Sequence, residues 1–154
     1  MVRASMWRWR WRWAGGVVLA MAWLLTATGQ EYGYDDPVPV LVSSGVYTEE
    51  QADAGQAAFA RHCAHCHGVD LQGGFGPRLV PLDPFQFRDE PLATVYAFIR
   101  TQMPFDGPGS LDDEDYVTIL AHILQRNGYP VGPEPLPADA DEWAPLVLDD
   151  PPAQ

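Results

Sequence analysis

The chain of 154 residues carries nine Arg, no Lys and 21 acids for a formal charge of −12, so it is one domain with appendages and has little room for a second core. Arg3, Arg8, Arg10 and Arg12 lie in the first thirteen residues and every acid follows position 30; without residues 1–29, five Arg face 21 acids, a formal charge of −16. Such a surface repels nucleic acid and anionic membranes and excludes both as partners.

In chain order, the first 29 residues join an Arg/Trp run to the apolar AGGVVLAMAWLLTATG, with Ala27 and Gly29 at −3 and −1 of a cut before Gln30. That is the layout of a secretory signal peptide, and it predicts export to the periplasm. Residues 15–28 fall short of the ~20 apolar residues of a membrane span. An uncleaved anchor is the competing reading, and this segment is then the only contact with a membrane. Residues 30–46 bear Pro and Asp without helical period and read as an extended leader.

Residues 47–128 form the working domain, with three helices predicted. The first is TEEQADAGQAAFARHC, where Thr48 and Gln51 have the spacing of a capping box and Ala52, Gly55 and Phe59 share a face. The second is EPLATVYAFIRTQ, with Pro91 suited to its first turn and a stripe of Leu92, Val95, Tyr96 and Ile99. The third is SLDDEDYVTILAHILQRNG: Ser110 is the expected cap, acids fill the first turn, Gly128 stops it, and Tyr116, Ile119, Leu120, Ile123 and Leu124 form the apolar face. The Gly/Pro-rich GVDLQGGFGPRLVPLDPFQF between the first two helices is a poor candidate for regular structure. Residues 129–154 hold seven Pro and six acids and read as a wrapping or disordered tail. The class is all-α. A core this thin calls for a staple, a metal or a cofactor.

RHCAHCHGVD at 61–70 supplies it, concentrating both Cys and three of the four His of the chain. Cys63-Ala64-His65-Cys66-His67 is C-x-x-C-H, the c-type haem attachment pattern. Two Cys three apart at a helix end project to one side, so both sulfurs reach the vinyl groups along one porphyrin edge. The adjacent His67 then reaches the iron. A zinc site lacks a second ligand pair, a redox C-x-x-C lacks its βαβ context, and a disulfide across so short a loop stabilises little.

With residues 1–29 removed, Met103 is the only Met and stands in the polar RTQMPFDGPG. It is the expected sixth iron ligand, a thioether that favours Fe(II) and raises the potential. His122 falls off the apolar face of the third helix and is expected to be solvated; His62 and His65 are expected to have no special role. Arg78 or Arg88 is a candidate partner for a haem propionate.

Gly55 and Phe59 before CAHCHG, GFGPRL after it, Met103-Pro104 and the last amphipathic helix resemble the class I c-type cytochromes. The run MPFDGPGSLDDEDYVTILAHILQRNGYPVG is similar to small bacterial cytochromes that accompany quinoprotein dehydrogenases. The resemblance implies one covalent haem c enclosed by three main helices and long loops, with the first and last helices crossing so that Gly55 and Phe59 meet Tyr116 or Leu120. It implies that Pro77 lends its carbonyl to the haem His. It also implies a non-enzymatic electron carrier between redox proteins, with a quinoprotein dehydrogenase and a terminal oxidase as donor and acceptor. The missing Lys departs from members that dock through a Lys ring. A haem-bearing subunit of a dehydrogenase or oxidase complex is the alternative, and a c-haem peroxidase or gas-binding protein is a further one.

Overall fold

A computed structural model describes residues 38–82 and 87–151, all within one compact unit spanning residues 35–154. The predicted signal peptide and the first part of the leader lie outside the described residues. Among the described residues no helix is long and apolar enough to cross a membrane.

Helix α1 covers Glu49–His62. Thr48 caps it as expected, its hydroxyl accepting from the Gln51 N–H at 3.3 Å. The capping box is only half made. The Gln51 side chain instead grips the backbone of Leu136, donating to its carbonyl at 2.9 Å and accepting its N–H at 2.8 Å. Helix α2, Ala64–His67, is a single turn on the attachment motif. Helix α3, Leu92–Gln102, starts after Pro91, which the structure places just outside the helix rather than in its first turn. Pro91 has an extended ψ of 133° and bridges to Val147, which holds it out of the helix.

Helix α4, Asp113–Arg126, has Asp112 and not Ser110 at its N-cap position, without a side-chain capping bond. The Ser110 N–H turns back to the Gly107 carbonyl, and the Leu111 N–H points to the Tyr116 hydroxyl, so this stretch belongs to the preceding loop. Its C-terminus is a Schellman motif. Gly128, at φ +86°, donates to the Gln125 carbonyl, and Tyr129 donates to that of Leu124.

The all-α class holds apart from one short parallel ladder, in which β1 (Val40–Leu41) pairs with β2 (Leu146–Val147). This ladder is part of a wrapping tail. Leu136, Trp143 and Leu148 are buried with Val42 and Tyr47 from before α1, with Leu92, Val95 and Tyr96 of α3, and with one face of α4. The Trp143 ring meets Tyr96 edge-on at 4.8 Å, and its indole N–H reaches the Pro137 carbonyl. The tail is acidic and Pro-rich, yet its few apolar side chains complete the core that three short helices leave thin.

The helices α1 and α4 form the main crossing. The expected contact of Gly55 and Phe59 with Tyr116 or Leu120 is displaced. Gly55 lies against the Thr118 carbonyl and His122 Cβ, and Phe59 packs with Ile119, Ile123 and the His122 ring, 5.6 Å away. Close approach at Gly55 brings this face of α4, with His122 on it, against α1.

Candidate functional site

The attachment motif grows directly from the end of α1. The Cys63 carbonyl accepts the N–H of Cys66 at 3.1 Å and of His67 at 3.0 Å, so both thiols and the imidazole come from one tight turn. Gly68, at φ +78°, ends that turn. The following loop folds back over it: Gly73 N–H donates to the His67 carbonyl and Gly76 N–H to that of Cys66, each at 2.8 Å. This return is what sets the imidazole. His67 Nδ1 lies 2.7 Å from the Pro77 carbonyl oxygen. A carbonyl can only accept, so Nδ1 carries the proton and Nε2 keeps its lone pair for a metal. The same contact fixes ring orientation and strengthens the imidazole as a ligand. Gly76 supports it sterically, because a Cβ there would stand 2.9 Å from His67 Cε1.

Cys63 and Cys66 are both half-buried and form no disulfide with each other. Burial, and secondarily Cys66, pushes the Cys63 thiol up to about 11, which makes it a neutral, apolar group rather than a thiolate. No group of three or more His, Cys, Asp or Glu able to hold a metal ion occurs among the described residues. Two neutral thiols and one imidazole with a free Nε2, gathered in a single turn, are donors that a covalently attached porphyrin iron would use.

The apolar surroundings fit as well. Around the motif lies a second cluster, with Ala58, Phe59, Leu71, Ile119 and Ile123 buried, and Cys63, Ala64, Leu79, Val80, Leu82, Ile99 and Leu111 only partly so. More of its members are partly exposed than buried, the reverse of the tail-side cluster. That half-covered apolar surface is what a flat apolar group tethered at Cys63 and Cys66 would close over.

Met103 is half-buried immediately after α3. Ile99, one turn before it, and Leu111, at the far end of its loop, both border the cluster that contains Cys63. Its N–H bonds the Ile99 carbonyl at 2.9 Å, and its own carbonyl accepts from the Tyr116 hydroxyl at 2.7 Å and the Gly109 N–H at 3.3 Å.

The remaining residues sort differently from expectation. His122 is not solvated. It is 2% exposed, its Nδ1 has no partner among the described residues, and burial lowers its pKa. The crossing at Gly55 puts it inside the α1–α4 interface, where its ring does the work of an aromatic side chain. His65 is exposed, and His62 Nε2 lies 3.7 Å from Asp115. Arg88 is engaged by Asp150 through two 2.7 Å contacts, whereas Arg78 is exposed and in no ion pair among the described residues. Asn127, and the actual roles of Tyr116 and Gln51, are what sequence reading missed. Asn127 holds the loop after the motif, accepting from the Leu82 N–H at 2.7 Å and donating to the Leu79 carbonyl at 2.9 Å. Asn127 and Gln51 act across tens of residues and Tyr116 across 13, beyond the reach of a local pattern.

The family described as cytochrome c oxidase, cbb3-type, subunit III matches residues 50–123. Cytochrome c-551 of Bacillus subtilis is 24% identical over 109 residues, which cover 71% of this chain and 94% of that protein. Thiosulfate dehydrogenase of Psychrobacter arcticus is 26% identical over 137 residues, 82% of this chain but 39% of its own length. Among solved structures, the sulfane dehydrogenase SoxCD of Paracoccus pantotrophus matches with a TM-score of 0.46 and 25% identity, over 75% of this chain and 61% of that one. The chain thus spans less than two thirds of the length of either dehydrogenase chain it matches.

Proposed function

We propose that this protein is an exported, periplasmic electron carrier, with a haem-c-bearing cytochrome c domain over residues 50–123 whose iron would be held between His67 and Met103. Cys63 and Cys66 form the thioethers, and the Pro77 carbonyl orients His67. The observation that carries the reading is the 2.7 Å contact between His67 Nδ1 and Pro77, which leaves Nε2 free for iron. Haem, when bound, supplies a one-electron Fe(II)/Fe(III) couple. The chain attaches it, shields it from water and sets its potential. Held by both His67 and Met103, the iron would offer substrate no open site. The thioether and burial favour Fe(II), while the acidic surface favours Fe(III). Surface charge is screened beyond a Debye length of ~8–10 Å, so the ligands decide and the potential is positive.

Partner recognition follows from charge and exposure. Phe75 follows the motif and is 86% exposed; Phe105 follows Met103 and is 77% exposed. They flank the site on a strongly acidic protein, which suits a redox partner whose contact face is basic around an apolar centre. Electron-transfer rates then fall as salt is added.

The test is visible spectroscopy of protein matured in a periplasm with c-haem machinery. A low-spin spectrum, a ferric sulfur-to-iron band lost in Met103→Ala, and no shift when carbon monoxide meets the reduced form support the carrier. A high-spin or carbon-monoxide-binding haem defeats the closed His/Met site. The dehydrogenase relative favours a second context, a haem subunit in a larger dehydrogenase complex; copurification with such a partner distinguishes it.

A further inference from the structure

We infer that Tyr116 is the positioning residue for the sixth iron ligand: its hydroxyl staples both ends of the loop that presents Met103. The inference rests on Met103 being that ligand. Residues 103–111 contain Pro104, Gly107, Pro108 and Gly109 and form no regular structure, so no helix or strand ladder gives Met103 a fixed place. Tyr116 supplies it from outside. Its hydroxyl donates to the Met103 carbonyl at 2.7 Å and faces the Leu111 N–H at 3.4 Å, the first and last residues of the loop. The ring is 1% exposed and stands in the opening turns of α4. Helix α4 crosses α1, and α1 runs without a break into Cys63. One phenol therefore ties Met103 to the same helix pair that carries the attachment motif.

The other brace on this carbonyl is weaker. The Gly109 N–H is 3.3 Å away and belongs to the loop itself, not to a helix. A neutral thioether binds iron without charge attraction. Its occupancy then depends on how firmly the chain holds it in place, and removing the phenol oxygen releases the loop while leaving the ring packed.

The test uses ferric holoprotein titrated with imidazole, which takes the sixth position only while Met103 is off the iron. Apparent imidazole affinity is then proportional to the open fraction. Tyr116→Phe deletes one hydroxyl, and losing a hydrogen bond of this kind raises the apparent affinity by roughly tenfold. The sulfur-to-iron band weakens in parallel. Met103→Ala sets the fully open limit. Tyr47→Phe is the control: it deletes a buried phenol hydrogen bond to the Tyr129 carbonyl, at the opposite end of α4, and leaves imidazole affinity unchanged. Unchanged affinity in Tyr116→Phe, or an equal rise in both variants, overturns the inference. A wild-type protein without the band, already binding imidazole like Met103→Ala, fails in a different way: it removes Met103 as the ligand.

Discussion

Replacing Gly55 by Ala sets two physical effects of opposite sign against each other. Gly55 lies within α1, where helix propensity favours Ala over Gly by about 1 kcal/mol. A Cβ at this position, however, falls 1.8 Å from the Thr118 carbonyl oxygen, 2.4 Å from its carbon and 3.0 Å from His122 Cβ. The obstacle is helix backbone, which cannot swing aside as a side-chain tip can. Restoring an ordinary 3.4 Å contact moves α1 and α4 apart by about 1.6 Å. A radial gap of only ~0.5–1 Å forfeits a quarter to a half of each dispersion contact across it. Phe59, Ile119 and Ile123 face one another across this gap, so the cost lies near the upper end of the ~1–3 kcal/mol typical of overpacking. Set against the propensity gain, the net loss is about 2 kcal/mol. With a urea m-value of about 2 kcal/mol/M, the unfolding midpoint drops by about 1 M. Urea titration of the holoprotein, followed by far-UV circular dichroism and Soret absorbance, measures it. A midpoint at or above that of the wild type would refute the claim that close helix approach at Gly55 builds the site.

Trp143 is fully buried against Tyr96, so Trp143→Ala costs ~3–5 kcal/mol by the same titration; an unchanged midpoint would make the tail a mere appendage. His122 titrates below its ordinary 6.5, chiefly because of burial and then of Arg126, against an opposing pull from Asp53. The unfolded chain therefore binds this proton while the folded chain does not, and stability is full above pH 6.5 and falls as pH drops below it. His122→Phe flattens that part of the acid limb of a stability-pH profile, and an unaltered slope contradicts the assignment. Asn127→Leu strands the Leu82 N–H and the Leu79 carbonyl, at a cost of ~1–3 kcal/mol; amide exchange at Leu82 should speed up, and unchanged protection there would count against it. Redox titration should give a midpoint above the hydrogen electrode, and a negative value would show that the acidic surface outweighs the ligands.

What local spacing controls could be read from the chain. The thiols and imidazole of Cys63, Cys66 and His67 lie within five consecutive residues, and one helical turn gathers them whatever the rest of the chain does. The stripes on α1, α3 and α4 follow from a 3.6-residue period, and the end of α4 follows from Gly128, whose missing Cβ admits a positive φ. What long-range contact controls could not be read. His122 looked solvated because a helical wheel shows only its own helix, while burial depends on α1 arriving at Gly55 closely enough to cover it. Gln51 matched a local cap and took a partner 85 residues away in sequence. Ser110 had the chemistry of a cap and lost that place to a loop held by Tyr116.

By itself, then, the sequence determined the haem motif, the helical faces and the acidic surface, because each is set by neighbours a few residues apart. Only the tertiary structure decided that the Pro-rich tail wraps into the core, that His122 is buried, and that Tyr116 holds the Met103 loop. Each of those depends on how segments distant in the chain bury apolar surface against one another, and no short window of residues records that.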